Sequence, residues 1–203
     1  MLWRHLVVAS SLLGCVSAAA VRRVIVTGAN KGIGLQICKK IVAEQPDVHV
    51  LLGSRSAARG EKAVDAVLAS VPSAAGRVEL LELDVTSDTS VAAAVKSVAD
   101  RFPDEATPIF GVCSNAGVGF GKSITQTLDV NFYGTVRVCD AFIPLLDPSE
   151  GRVCIIASAS GPNFVRGLDG AEKEIFTSRS TTWEALQEHL CAAGSRLRLS
   201  AAL

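Results

Sequence analysis

Two turns hold the residues best suited to chemistry. The first is in GRVCIIASASGPNF, residues 151–164, where Val153 to Ala157 read as a buried strand and Ser158 stands at its end. A hydroxyl at the carboxyl end of a central strand can hold a substrate oxygen, but it needs a partner that moves protons. No histidine or carboxylate motif accompanies it, so it does not read as a nucleophile. The second turn is VTGANKGIG, residues 26–34, between an apolar β-rich run and a helical one. Gly28, Gly32 and Gly34 let backbone approach a phosphate where a Cβ would clash, and the following helix aims its free N–H groups at that phosphate. Thr27, Gly28, Asn30, Lys31, Gly32, Ile33 and Gly34 are the expected cofactor contacts here. About 20 residues further on, an acid would grip the ribose of NAD. This chain has Ser54 and then Arg55 at that point. A guanidinium pairs with a 2′-phosphate, and Lys31 adds a second positive charge, so the expected cofactor is NADP(H).

These turns need elements to position them. From Val21 the pattern alternates. Strands are expected in VRRVIVTG, VHVLLGS, RVELLELDV, TPIFGVCSNAG and GRVCIIAS. Helices are expected in GIGLQICKKIVAEQ (with Ile33, Ile37 and Ile41 on one face, joined by Leu35, Cys38 and Val42), in AARGEKAVDAVLASV and in TSDTSVAAAVKSVADRF. A long helix follows in SITQTLDVNFYGTVRVCDAFIPLL, apolar through Leu128, Phe132, Val136, Cys139 and Phe142. Strict alternation with near-continuous apolar strands predicts an α/β fold: a Rossmann-type doubly wound parallel sheet in three α/β/α layers, with the ligand crevice at the carboxyl ends of the strands. After Gly161 the order fades into two short helices, the second capped near Thr181–Thr182, and an irregular end.

Composition narrows the function. The 203 residues are 49% apolar and 20% charged with zero net charge, which suits a sizeable core and gives no electrostatic case for nucleic acid. Three scattered histidines and no Cys-x-x-Cys pair leave a zinc site without support. The six cysteines follow no disulfide framework, and Cys113 and Cys154 read as small buried hydrophobes in central strands. Residues 1–20 have a basic start, a short apolar run and the small residues Ala18 to Ala20, the layout of a secretory leader. Cleavage after Ala20, an uncleaved anchor and a leader to another organelle all remain open. The run is too short to predict a stable membrane span.

The spacing Thr-Gly-x-x-x-Gly-x-Gly resembles the short-chain dehydrogenase/reductase family, and four more motifs follow in the family's order. LDV at Leu83–Val85 matches its adenine-side Asp, here Asp84 with Val85. SNAG matches its Asn-Ala-Gly, here Asn115, Ala116 and Gly117. DVNFYG carries Asn131, matching the catalytic asparagine. The Ser-x-x-Gly spacing selects Ser158 rather than Ser160 as the catalytic serine. The resemblance covers residues 22 to about 161. It implies hydride transfer from NADPH to a small ketone or aldehyde, with Ser158 holding the carbonyl oxygen and Asn131 steadying a water relay.

The family's proton donor and its lysine come as Tyr-x-x-x-Lys on one helix, since a spacing of four puts both on one face. The sequence has one tyrosine, Tyr133, followed by Arg137 rather than lysine, and it reads as packing. GLDGAEKEIFTSRSTTWEALQEHL resembles the helical insert that carbonyl reductases place before that pair, and such members are often monomeric. The expected layout is a leader (1–20), an NADP(H)-binding domain (21–161) and an insert-like segment with an irregular end (162–203), truncated after the fifth strand. The expectation is a carbonyl reductase with little activity as given. The alternatives are a non-catalytic NADP(H)-binding protein and a secreted interaction domain with a vestigial loop.

Overall fold

Short apolar runs broken by glycine and capping residues build five parallel strands. The computed structural model describes residues 21–200; the expected leader, 1–20, lies outside the described residues. The strands are β1 (Arg22–Val26), β2 (Val48–Ser54), β3 (Val78–Glu82), β4 (Gly111–Ser114) and β5 (Arg152–Ile155). They lie in the order β3-β2-β1-β4-β5, all parallel. The order reverses between β1 and β4, so a crevice opens there at the carboxyl ends of the strands.

Side-chain alternation along the strands divides the core. Ile25, Leu51 and Leu81 face α3 (Asp88–Arg101) and α5 (Gly134–Phe142), meeting Val91, Val98, Val138 and Phe142. Val26, Val50 and Leu52 face α1 (Gly32–Glu44) and α2 (Ala57–Ser70), meeting Cys38, Val42, Ala63 and Val67. Each such buried aliphatic side chain contributes about 1.5–3 kcal/mol, so the two layers together carry the fold. Burial pushes the Cys38 thiol up to about 12 and the Cys113 thiol up to about 11, which keeps both as neutral packing groups.

The expected long helix is present as α4 (Ile124–Leu128), a π turn at Asp129–Tyr133 and α5. Ser123 and Gln126 cap α4 reciprocally.

Four local expectations need correction. Ile33 does not share the buried face of α1; it is 68% exposed, and Gly34, Cys38 and Val42 are the buried residues. Ile33 sits in the first turn, ahead of the strand surface that covers the rest of the helix. Cys154 is exposed rather than buried, because β5 is the edge of the described sheet, with Val153, Ile155 and Ile156 also exposed. Order does not fade at Gly161: it lies inside α6 (Ser160–Arg166), whose Ser160 N–H donates to Ser158 Oγ just ahead of the helix. Pro162 is tolerated because the first turn needs no N–H donor there. Finally, α7 (Gly170–Thr177) is followed by α8 (Trp183–Ser200), which continues through the stretch expected to be irregular. Thr182 Oγ1 accepts the Ala185 N–H as its cap, and Phe164, Phe176 and His189 pack α6 to α8 on one another. Among the described residues no helix is long and apolar enough to cross a membrane.

Candidate active site

The switch between β1 and β4 is held by one buried hydroxyl. Thr27, fully buried at the end of β1, accepts the backbone N–H groups of Asn115 (3.0 Å) and Ala116 (2.9 Å) on its Oγ1. Asn115 returns the contact, donating from Nδ2 to the Thr27 carbonyl at 2.9 Å. The Thr-Gly and Asn-Ala-Gly motifs, 88 residues apart, are thereby tied into one floor.

The glycines of the first turn do different work. Gly28 has φ +63°, and a Cβ there would stand 2.8 Å from Ala116 Cα. Gly32 has φ +58° with nothing within 4 Å of its absent Cβ. Gly34 lies against the floor: a Cβ would meet Asn115 Nδ2 at 2.5 Å and the Gly28 carbonyl oxygen at 2.9 Å. The residues between are Asn30, half-buried, and Lys31 and Ile33, both exposed.

The amino end of α1 suits an anion. Side chains cap α3 (Ser87), α4 (Ser123) and α7 (Asp169); α1, like α2, α5 and α6, has no side-chain cap. Its first-turn N–H groups therefore face outward beside Lys31 without a side-chain acceptor, as a phosphate site requires. Arg55 is exposed and makes no hydrogen bond or ion pair among the described residues, so its guanidinium is available to a second phosphate. Ser54 is buried and turned inward, with its hydroxyl donating to the Ser56 carbonyl at 2.9 Å and accepting the Ser56 N–H. It shapes the turn that presents Arg55.

Asp84 follows β3 and is held in a local turn, accepting from the Thr86 N–H (3.0 Å) and hydroxyl (2.7 Å). Burial works against its ionisation. The Thr86 bonds and the positive charges of Arg55 and Arg137 outweigh that, and hold the carboxyl below its ordinary range. Val85 beside it is buried.

Asn131 lies in the π turn, a helix irregularity often found at functional sites. Its amide clamps the backbone of Val118, accepting the N–H and donating to the carbonyl, both at 2.8 Å. It also lies beside Gly117, whose added Cβ would stand 3.6 Å from Asn131 Oδ1. Ser158 is exposed two residues past the last ladder bond of β5, from the Ile156 N–H to the Ser114 carbonyl. No hydrogen bond joins Ser158 to Asn131; its Oγ receives the Ser160 N–H at 3.1 Å. Tyr133 is half-buried and packs edge-on against Phe132 (5.1 Å) and Trp183 (6.4 Å). Val118 and Arg137 are site residues that motif reading passed over. Val118 offers only backbone, which carries no sequence signal, and Arg137 matters through partners far away in the chain.

A doubly wound parallel sheet with a glycine turn at its switch point defines this as an α/β domain of the dinucleotide-binding kind. The chain belongs to the short chain dehydrogenase family, which matches residues 22–170. It is 31% identical to (+)-neomenthol dehydrogenase of Arabidopsis thaliana over 163 residues, 69% of this chain and 54% of that protein. It is 39% identical to the human 3-keto-steroid reductase/17-beta-hydroxysteroid dehydrogenase 7 over 79 residues, 39% of this chain and 23% of that one. The chain spans about half the length, or less, of the curated relatives it matches. Among solved structures, the menthone neomenthol reductase from Mentha piperita superposes with a TM-score of 0.75 at 24% identity, covering 90% of this chain and 76% of that one. The alcohol dehydrogenase from the archaeon Thermococcus sibiricus complexed with 5-hydroxy-NADP gives a TM-score of 0.57 at 27% identity, covering 81% and 66%.

Proposed function

We propose that this chain is the cofactor half of an NADPH-dependent carbonyl reductase acting on a small ketone or aldehyde. The observation that carries the reading is the uncapped amino end of α1 beside Lys31, opposite an unpaired Arg55 at the same carboxyl edge of the sheet. The first would hold the pyrophosphate and the second a ribose 2′-phosphate, while the Asp84–Val85 turn would border the adenine. The relatives support the reaction class: their names describe dehydrogenases and reductases of menthol-type and steroid alcohols and ketones.

The cofactor supplies the hydride when bound. This chain's residues do the holding. Ser158 Oγ is exposed and can donate to a carbonyl oxygen, and donors placed where negative charge develops stabilise the transition state. Asn131 fixes the loop after β4 through Val118. The 203 residues hold no Tyr-x-x-x-Lys pair, and Tyr133 is engaged in an aromatic cluster. Lacking a general acid typically lowers a rate by about 10²–10⁴-fold, so the reading includes cofactor binding with little turnover by these residues alone. Residues 21–161 form the cofactor-binding unit in this proposal, and 162–203 a helical insert.

NADPH fluorescence titration of the 203-residue chain tests it. Saturable binding is expected, and no binding overturns the reading. Arg55→Asp is expected to weaken NADPH far more than NADH, and an equal loss for both sinks the 2′-phosphate assignment.

A further inference from the structure

Arg137 links the Asp84–Val85 turn of the proposed cofactor site to the turn that carries Asn131. It lies in the first turn of α5, with its side chain 22% exposed. Nη1 donates to the Val85 carbonyl at 2.6 Å, Nε pairs with the Asp88 carboxylate, and Nη2 lies 3.9 Å from Asp129 Oδ1. Val85 belongs to the Asp84–Val85 turn, Asp88 opens α3, and Asp129 opens the π turn that holds Asn131. Gly134, three residues before Arg137, adds a second contact at the same point. A Cβ there would stand 2.8 Å from Val85 Cγ2 and 3.1 Å from the Val85 carbonyl oxygen. The 84–87 turn is therefore pressed onto α5 by packing and pinned to it by a charged donor.

We infer that Arg137 is a positioning residue for the adenosine half of the dinucleotide site, fixing the Asp84–Val85 turn against the helix whose preceding turn carries Asn131. The inference rests on the NADP(H) reading above. A carbonyl held by a guanidinium is more strongly fixed than one held by a neutral donor, and the fork geometry sets its direction as well. Lysine reproduces the charge but reaches one acceptor rather than three. Without the guanidinium, the turn keeps its Thr86 bonds but loses its registration on α5.

The test is titration of the full chain with 2′,5′-ADP, which carries the adenosine half alone, followed by calorimetry. Arg137→Met is expected to weaken binding by about tenfold, the loss typical of one charge-assisted hydrogen bond, with Arg137→Lys in between. Val42→Ala, a truncation near the far end of α1 in the core layer that excludes Val85, lowers the melting temperature and is expected to leave the affinity within about twofold. Met binding as tightly as the unmodified chain, or Val42→Ala losing as much as Met, overturns the positioning role. Should the Met variant not fold, Lys carries the test, and an undiminished affinity for Lys then overturns it. An unmodified chain that does not bind 2′,5′-ADP overturns the NADP(H) reading and this inference together. Binding by the unmodified chain with no loss on substitution overturns this inference alone.

Discussion

Thr27→Val removes the hydroxyl that ties β1 to the turn after β4 while keeping the side chain's shape. In the native chain Oγ1 accepts two backbone N–H groups, from Asn115 and Ala116, at 3.0 and 2.9 Å. Valine leaves both donors without that acceptor. Each fully buried orphan donor costs about 1–3 kcal/mol. Asn115 and Ala116 are only half-buried, so water offsets part of this, and the sum is about 2–4 kcal/mol. The backbone bonds at the same position, from the Thr27 N–H to the Cys113 carbonyl and from Asn115 Nδ2 to the Thr27 carbonyl, remain. At this chain length 1 kcal/mol moves the melting temperature by about 2–4 °C, so the expected fall is about 5–15 °C. The assay is thermal melting by circular dichroism without any nucleotide, which separates the structural tie from ligand binding. Thr27→Ser keeps the acceptor and loses a methyl, and is expected to melt above the valine variant. Should Thr27→Val melt within about 2 °C of the unmodified chain while Thr27→Ser falls further, the methyl rather than the hydroxyl holds the site, and the reasoning fails.

Other consequences are equally direct. Gly34→Ala forces backbone apart at Ala29 and Gly28 and is expected to lower stability by about 1–3 kcal/mol, with Gly34→Asn worse. Gly32→Asn is expected to melt near the unmodified chain, because asparagine tolerates a left-handed φ and meets open space there; matching losses at both sites would refute the distinction. Asp84 has a depressed pKa in the fold, so its stabilisation is present above the ordinary carboxylate pKa of about 4 and is lost as pH falls through the lower folded value. The melting difference between the unmodified chain and Asp84→Asn is therefore expected to hold steady near neutrality and to shrink in acid; a constant difference would show that the carboxylate's charge contributes nothing.

Local rules carried most of the fold. Apolar runs gave β2 its bounds, Val48–Ser54, and the Ser87 and Thr182 caps mark helix starts because a side-chain oxygen satisfies an N–H only a few residues away. They misjudged Gly161 and α8, where one glycine and a weak apolar period read as fading order and an irregular end, although Gly161 sits within α6 and the Thr182 cap with helix-forming residues carries α8 onward. They also misplaced Cys154. Its sequence environment is that of a central strand, but burial depends on what lies beside β5, and among the described residues that is β4 alone.

The sequence by itself determined the strand–helix alternation, the glycine turn with its charge at Lys31 and Arg55, and the family motifs, because each is written within a dozen neighbouring residues. Only the tertiary structure decided which motifs touch. The Thr27 hydroxyl meets Asn115 and Ala116 across 88 residues of chain, Asn131 clamps Val118, and Arg137 joins Val85, Asp88 and Asp129. Those contacts arise because parallel strands bring every following turn to one edge of the sheet, and partners chosen by that crossing leave no period or spacing in the chain to read.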